Sequence, residues 1–348
     1  MKKVFIFLSL ILFSTSIYAA EVNIESLNTL GMGKADLADV SGVSNPANLG
    51  SRVDTDPLLI TYFSIMQNLS PDELSTPLGY FQYPYMSMGV IAYGTNLGLT
   101  LNIDSYLDHR VYHNDILNYT GYNQFTIQLD WGYRLSNFDF GMRVKGGSAA
   151  ERRNFELRDN IFFLSDYIVN TFFSEYETVA DSEFFNLGFS IRLNILNNFS
   201  MAFYSESDVD LSSTSDNNVI SYLKASSLGF TYFTNKYSRN NQLNPFVYKF
   251  SLDLVELGDV DKRELRFGAE MKLQLGNNNS LALRAGYYEP KATIGDIFML
   301  DLEKGTSTYA LVYDSKDFGI AMVLSLPMIS FTDINNGLTL GVNSTFKF

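Results

Sequence analysis

Cysteine is absent from this chain, histidine occurs twice, tryptophan once, and proline is limited to eight of 348 residues. Without cysteine, neither a disulfide framework nor a thiolate metal site can form. His109 and His113 stand four apart, but no acidic third ligand completes a recognisable zinc spacing. Both fall in a stretch read as an outer loop, 108–121, away from any strand on which a Ser–His pair could be built. The expectation is therefore a protein with no enzymatic activity, metal or cofactor. Positive charge is also scarce: 25 Lys and Arg face 38 Asp and Glu, a formal net charge of −13, which argues against nucleic acid as a partner. Finally, beyond the amino-terminal leader no apolar run approaches the roughly 18 residues that a spanning helix needs.

What the chain has instead is aromatic and patterned. Tyr and Phe number 22 and 28, and the mean hydropathy is −0.01, so β-formers are abundant without a hydrophobic excess. Lys2 and Lys3 precede the apolar run Val4 to Leu12, and small residues lead up to Ala19 and Ala20. Residues 1–20 read as a secretory signal peptide whose removal takes two lysines and leaves a mature charge near −15. An exported chain without spanning helices can live in a membrane only as a closed barrel, because lipid satisfies no exposed backbone groups.

Period-two alternation recurs along the whole mature chain. Phe125 to Arg134 alternates without a break and is followed, after Leu-Ser-Asn, by Phe138 to Lys145; Leu265 to Leu275 is followed, after Gly-Asn-Asn-Asn, by Leu281 to Tyr287. Each pair predicts a hairpin of strands with one apolar and one polar face. The full reading has strands near 57–67, 76–93, 97–107, 122–134, 138–150, 183–194, 198–207, 221–234, 244–257, 262–275, 280–289, 305–314, 317–327 and 337–348. That is an all-β, transmembrane antiparallel barrel of about fourteen strands over 57–348, preceded by a segment 21–56 that is not strand. Longer and shorter connections mostly alternate, as expected when loops face outward and turns face the periplasm. The connection 235–243 is long for a turn, 258–261 is short for an outer loop, and a turn at Pro84 would raise the count to fifteen. In the 262–275 strand the alternation turns Phe267, Ala269, Met271 and Leu273 to lipid and Arg266 and Lys272 to the lumen.

The closing strand runs Leu338-Thr-Leu-Gly-Val-Asn-Ser-Thr-Phe-Lys-Phe348. Its aromatic end, Phe346 and Phe348, resembles the signal that the outer-membrane barrel assembly machinery reads. Localisation in the bacterial outer membrane, with its lipid and that machinery as partners, follows from this reading.

The lumen-facing register collects Arg134, Arg143, Lys145, Arg192, Lys249, Arg266, Lys272 and Arg284 against Asp130, Asp139, Asp253 and Glu270, a mildly basic interior. Two readings stand: a salt-bridged filling, or guanidinium groups at Arg143, Arg192, Arg266 and Arg284 that capture an anionic head group.

Between leader and barrel, Leu30-Gly-Met-Gly-Lys-Ala-Asp-Leu-Ala-Asp-Val-Ser-Gly-Val-Ser-Asn-Pro-Ala-Asn-Leu49 resembles the amino-terminal pattern of the FadL/TodX superfamily of hydrophobic-substrate channels, with its PorV-like and spirochaetal relatives. Gly31, Met32, Gly33, Ala35, Asp39, Ser41, Asn45, Pro46, Ala47 and Leu49 match; Lys34 stands where a small residue is usual and Asn48 where glycine is. The resemblance implies a hatch inside a fourteen-stranded barrel, with Gly31, Met32, Gly33, Asn45, Pro46 and Ala47 shaping it. It also implies helical outer loops as a first capture groove. The insert 151–182 offers an apolar face for that, including Phe162, Phe163, Ile168 and Phe172. Two functions are compatible with this: passive uptake of hydrophobic small molecules such as long-chain fatty acids, or a structural, partner-gripping barrel of the PorV kind.

Overall fold

In a computed structural model of the chain, the described residues are 32, 34–39, 45–52, 58–69, 85–113, 116–157, 177–196, 198–208, 226–234, 244–259, 263–275, 279–290, 305–327 and 338–348. The expected leader and the capture candidates Phe162, Phe163, Ile168 and Phe172 lie outside them, as do Gly31, Gly33 and Pro84.

The strands are β1 (Leu58–Leu69), β2 (Tyr85–Tyr93), β3 (Leu97–His113), β4 (Ile116–Leu135), β5 (Phe138–Leu157), β6 (Glu177–Leu196), β7 (Phe199–Asp208), β8 (Ser226–Phe233), β9 (Phe246–Val255), β10 (Glu264–Gln274), β11 (Ser280–Pro290), β12 (Thr306–Asp314), β13 (Phe318–Pro327) and β14 (Leu338–Lys347). Every neighbour in sequence is an antiparallel neighbour in space, and β14 pairs with β1 from Ile60↔Lys347 to Leu69↔Leu338. Phe348 completes the closure: its N–H donates to the Leu59 carbonyl at 2.8 Å and its carbonyl accepts from Leu59 N–H at 3.3 Å. No strand edge is left open, which is the condition for a sheet to sit in lipid.

The outer wall is the part that lipid demands. Met271, Leu283, Leu311, Met322, Val342 and Ile65 oppose one another strand to strand from β10 round to β1, a continuous apolar row. Leu283 is 52% exposed and Met322 50%, a burial no water-soluble protein would choose for a whole belt. Near the short-turn end, Trp131 stacks on Tyr133 with centroids 6.2 Å apart, and Phe318 meets Phe346 at 5.4 Å. Aromatic girdles of this kind mark the membrane interface. The molecule is a transmembrane barrel of the outer-membrane type, with the short turns 94–96, 136–137 and 315–317 at its periplasmic end.

The expected register holds on β10, where Met271 is exposed while Arg266 and Lys272 reach inward carboxylates. Two expected loops are corrected. The stretch 108–121 is largely strand, since β3 runs to His113 and β4 starts at Ile116, so both histidines lie on β3. Likewise β5 and β6 run into the supposed insert, through 151–157 and 177–182. β4, β5 and β6 have 20 residues each, about twice what a tilted strand needs to cross the bilayer. Their upper parts extend past the length that a tilted strand needs to cross.

Candidate functional site

The site is the inside of the barrel, and it is occupied by the chain's own amino-terminal residues. Asn45 caps a 3-10 helix, Pro46–Arg52, its Oδ1 accepting from Ala47 N–H at 2.9 Å, while Pro46 takes the first helical position, where its missing N–H costs nothing. Asn45 Nδ2 donates to the Leu37 carbonyl at 2.8 Å and so ties the helix to the preceding turn. Met32, Ala35, Leu37, Ala38, Ala47 and Leu49 are all buried, as are Asn45 and Asn48.

The wall receives this segment with glycines and polar side chains. Gly132 on β4 faces the backbone of the helix: a Cβ there would come within 2.6 Å of Gly50 N and 2.8 Å of the Pro46 carbonyl oxygen. On β5, a Cβ at Gly141 would lie 2.5 Å from Pro46 C, and on β8 one at Gly229 would lie 2.7 Å from Leu37 Cβ. Gly268 on β10 is pressed in the same way by the Met32 backbone. These glycines stand at lumen-facing positions where any side chain would collide with the amino-terminal segment.

Polar contacts fix the register of the segment. Ala47 N–H donates to Ser190 Oγ at 3.0 Å, and Ser200 Oγ to the Ala38 carbonyl at 2.8 Å. Asp253 Oδ2 accepts two backbone bonds, from Asp36 N–H at 2.8 Å and Leu37 N–H at 2.9 Å. Arg192, fully buried, donates to Asn48 Oδ1 at 2.8 Å and to Ser51 Oγ, and pairs with Asp139 at 2.5 Å. Lys249 Nζ meets Asp39 Oδ2 at 2.6 Å. Asn48, a departure from the resembled pattern, is thus the acceptor for a wall arginine. The other departure, Lys34, holds a left-handed backbone at φ 64°, which glycine takes more readily, and sets its ammonium 4.4 Å from the Tyr288 ring centre.

All eight lumenal cations named from the sequence face inward, and each has a carboxylate. Arg143 holds Asp130 through two bonds, at 2.8 and 3.0 Å, both side chains nearly excluded from water. Lys145 pairs with Glu206 at 2.9 Å, Arg134 with Asp139 at 3.1 Å, and Arg266 with Glu264 at 2.7 Å. Glu270 gathers Arg284 at 2.6 Å, Lys272 at 3.7 Å and Lys249 at 3.9 Å. Glu206, Glu264 and the amino-terminal Asp39 are the partners that strand-by-strand reading missed. Several pairs were nevertheless recoverable from the hairpins: a turn at 136–137 places Asp130 opposite Arg143, and one at 275–279 places Glu270 opposite Arg284. Chemically, the filling seats a segment by contacts that can be broken singly, and it admits a new anion only by exchange with a resident carboxylate. Among the described residues no group of His, Asp and Glu is placed to hold a metal.

No family model matches the chain, and no curated protein matches it. Among solved structures it is similar to the Pseudomonas putida toluene transporter TodX, at 11% identity over 96% of this chain and 99% of that one, with a TM-score of 0.48. It is also similar to the monoaromatic hydrocarbon channel CymD, at 10% identity over 92% and 95% with a TM-score of 0.49. The Ralstonia pickettii toluene transporter TbuX stands at 11% identity over 92% and 96%, with a TM-score of 0.49.

Proposed function

We propose that the protein is an outer-membrane channel for the passive uptake of hydrophobic small molecules, with long-chain fatty acids as a candidate substrate and residues 21–56 as its hatch. The observation that supports this reading is the seating of the described residues 32, 34–39 and 45–52 against the inner wall. A structural barrel has no need of a separate segment seated on wall glycines and held by individually modest bonds, whereas a conduit that must exclude water yet open does. An acyl chain is driven from water by about 0.8 kcal/mol per CH₂. Its carboxylate enters the lumen by exchange in an ion-pair cluster such as Lys249, Glu270 and Arg284, where Asp39 is the resident from the plug. Uptake of radiolabelled long-chain fatty acid by cells that lack their own carrier tests this. Expression of the protein should confer saturable uptake that rises with chain length. No gain over control cells, with folded protein present in the outer membrane, leaves a partner-gripping barrel as the better account.

A further inference from the structure

Strand pairs in this barrel differ in what sets their register. Tight turns at 136–137, 197–198 and 275–279 close the hairpins β4–β5, β6–β7 and β10–β11, and a tight turn fixes register by its own geometry. Between β5 and β10 the other joins are long: 158–176 from β5 to β6, 209–225 from β7 to β8, 234–245 from β8 to β9 and 256–263 from β9 to β10. Joins of that length leave the alignment of their partners open. A slip of two residues keeps every side chain on its own face, so lipid does not prevent it. The inner faces give little help, since Gly141, Ser190, Gly229, Ser251 and Gly268 bring no bulk that rewards one alignment over the next.

The amino-terminal segment supplies the missing alignment. Asp139, Arg192, Ala202, Gly229 and Asp253 oppose one another in succession across β5, β6, β7, β8 and β9, a single row of the sheet. Every member of that row touches the segment. Ser51 Oγ donates to Asp139 Oδ2 at 2.8 Å, Arg192 donates to Asn48 Oδ1, and Ala202 packs with Leu37 and Ala38. Gly229 lies under Leu37, and Asp253 accepts from Asp36 and Leu37. In the neighbouring row the opposed pair Gly141 and Ser190 is straddled by Ala47. Past β9, Met32 lies against Gly268 of β10 just ahead of Asp36 on β9. Each loosely joined pair is thus gripped on both of its strands by neighbouring residues of the segment.

We propose that this segment has a second function, as an internal template that aligns β5 to β10 while the barrel forms. Hairpins with tight turns form from contacts close in sequence, whereas aligning one hairpin with the next needs contacts across long connections, which are slow to find. A strip of chain that reads one row across successive strands admits a single alignment of them. With a slip of two at β5–β6, Asp139 would face Asn194 or Ser190, and Arg192 would leave the Ser51 and Asn48 that it meets beside Asp139. The role concerns assembly and is independent of what the lumen carries.

Because the chain has no cysteine, register can be read by paired thiols on the lipid face during refolding. Met142 on β5 opposes Phe189 on β6, so Met142→Cys with Phe189→Cys reports the native alignment, and Met142→Cys with Ile191→Cys a slip of two. Leu129→Cys with Met142→Cys reports the same slip within the hairpin β4–β5, where Leu129 opposes Val144. Each pair is built into the mature protein and into one lacking residues 21–50, and is oxidised to disulfide shortly after dilution from urea into lipid vesicles. The slipped β5–β6 pair should form about tenfold more disulfide in the shortened chain than in the intact one, the discrimination that one or two net hydrogen bonds supply, with the slipped β4–β5 pair unchanged. Equal yields of the slipped β5–β6 pair in both chains overturn the proposal. So does an equal rise in β4–β5, which would show general slowing rather than lost alignment. Should the shortened chain not refold, Gly141→Val in the intact chain, which lifts Pro46 and Ala47 from the wall, takes its place and decides by the same yields.

Discussion

Lys249 on β9 holds Asp39 of the amino-terminal segment at 2.6 Å, in a lumen where the same ammonium lies 3.9 Å from Glu270 on β10. The segment is thereby tied to a wall cluster in which three cations, Lys249, Lys272 and Arg284, gather on Glu270. Because the chain has no cysteine, the strength of this seat can be read cleanly with a single introduced thiol. Ala38 is fully buried in the amino-terminal segment. An Ala38→Cys protein should react slowly with a membrane-impermeant thiol reagent, and adding Asp39→Asn should speed labelling by about ten- to a hundredfold, since a charge-assisted bond contributes about 1.5–3 kcal/mol. Equal slow labelling in both would mean that the pair does not hold the segment.

The wall glycines make a steric prediction. Gly141→Val places a side chain where the Pro46–Ala47 backbone lies, so the barrel should fold and the Ala38→Cys site should become accessible. Gly146→Ala, on the same strand but with its nearest neighbour at 3.6 Å, should leave labelling unchanged. Matching behaviour of the two variants would contradict the cradle.

On the lipid face, Leu311 lies within the apolar row and is 43% exposed. Leu311→Arg should destabilise the barrel by about 2–4 kcal/mol if it lies near the bilayer midplane. Lys272→Arg, inside the lumen, should cost far less. Leu273, next to the end of β10 at Gln274, should tolerate Arg at about 0–1 kcal/mol because it sits near the interface. Urea titrations in lipid vesicles give these differences, and equal losses at Leu311 and Lys272 would show the register to be inverted.

The Arg143–Asp130 pair is buried on both sides and bidentate. Arg143→Met should cost about 3–5 kcal/mol by stranding Asp130, whereas Arg143→Met with Asp130→Leu should recover most of the loss. The same titrations decide this, and a double variant no better than the single would show that the pair contributes net stability rather than mutual neutralisation.

Strand count and register were legible because lipid imposes a rule on each residue it touches. Phe267 to Leu273 and Leu338 to Phe346 show that rule without needing tertiary context. The upper parts of β3 to β6 were not legible, because Asp108-His-Arg-Val-Tyr-His113 and Glu151-Arg-Arg-Asn154 carry no apolar–polar alternation in the sequence although their backbone is strand. Inward cations could be named one by one, but their neutralisation depends on registers between strands and on Asp39, which arrives from more than 200 residues away. The lumenal glycines were visible in the sequence and carried no signal there, since a glycine in a strand reveals its purpose only when a second backbone is seen against it.

The measurement that bears most directly on a channel closed by its own amino terminus is single-channel conductance in planar bilayers, comparing the mature protein with one lacking residues 21–50. The intact barrel should conduct little, and the shortened one, shown to be folded, should conduct steadily and several-fold more. Identical conductance from the two would place the segment outside the path and contradict the account.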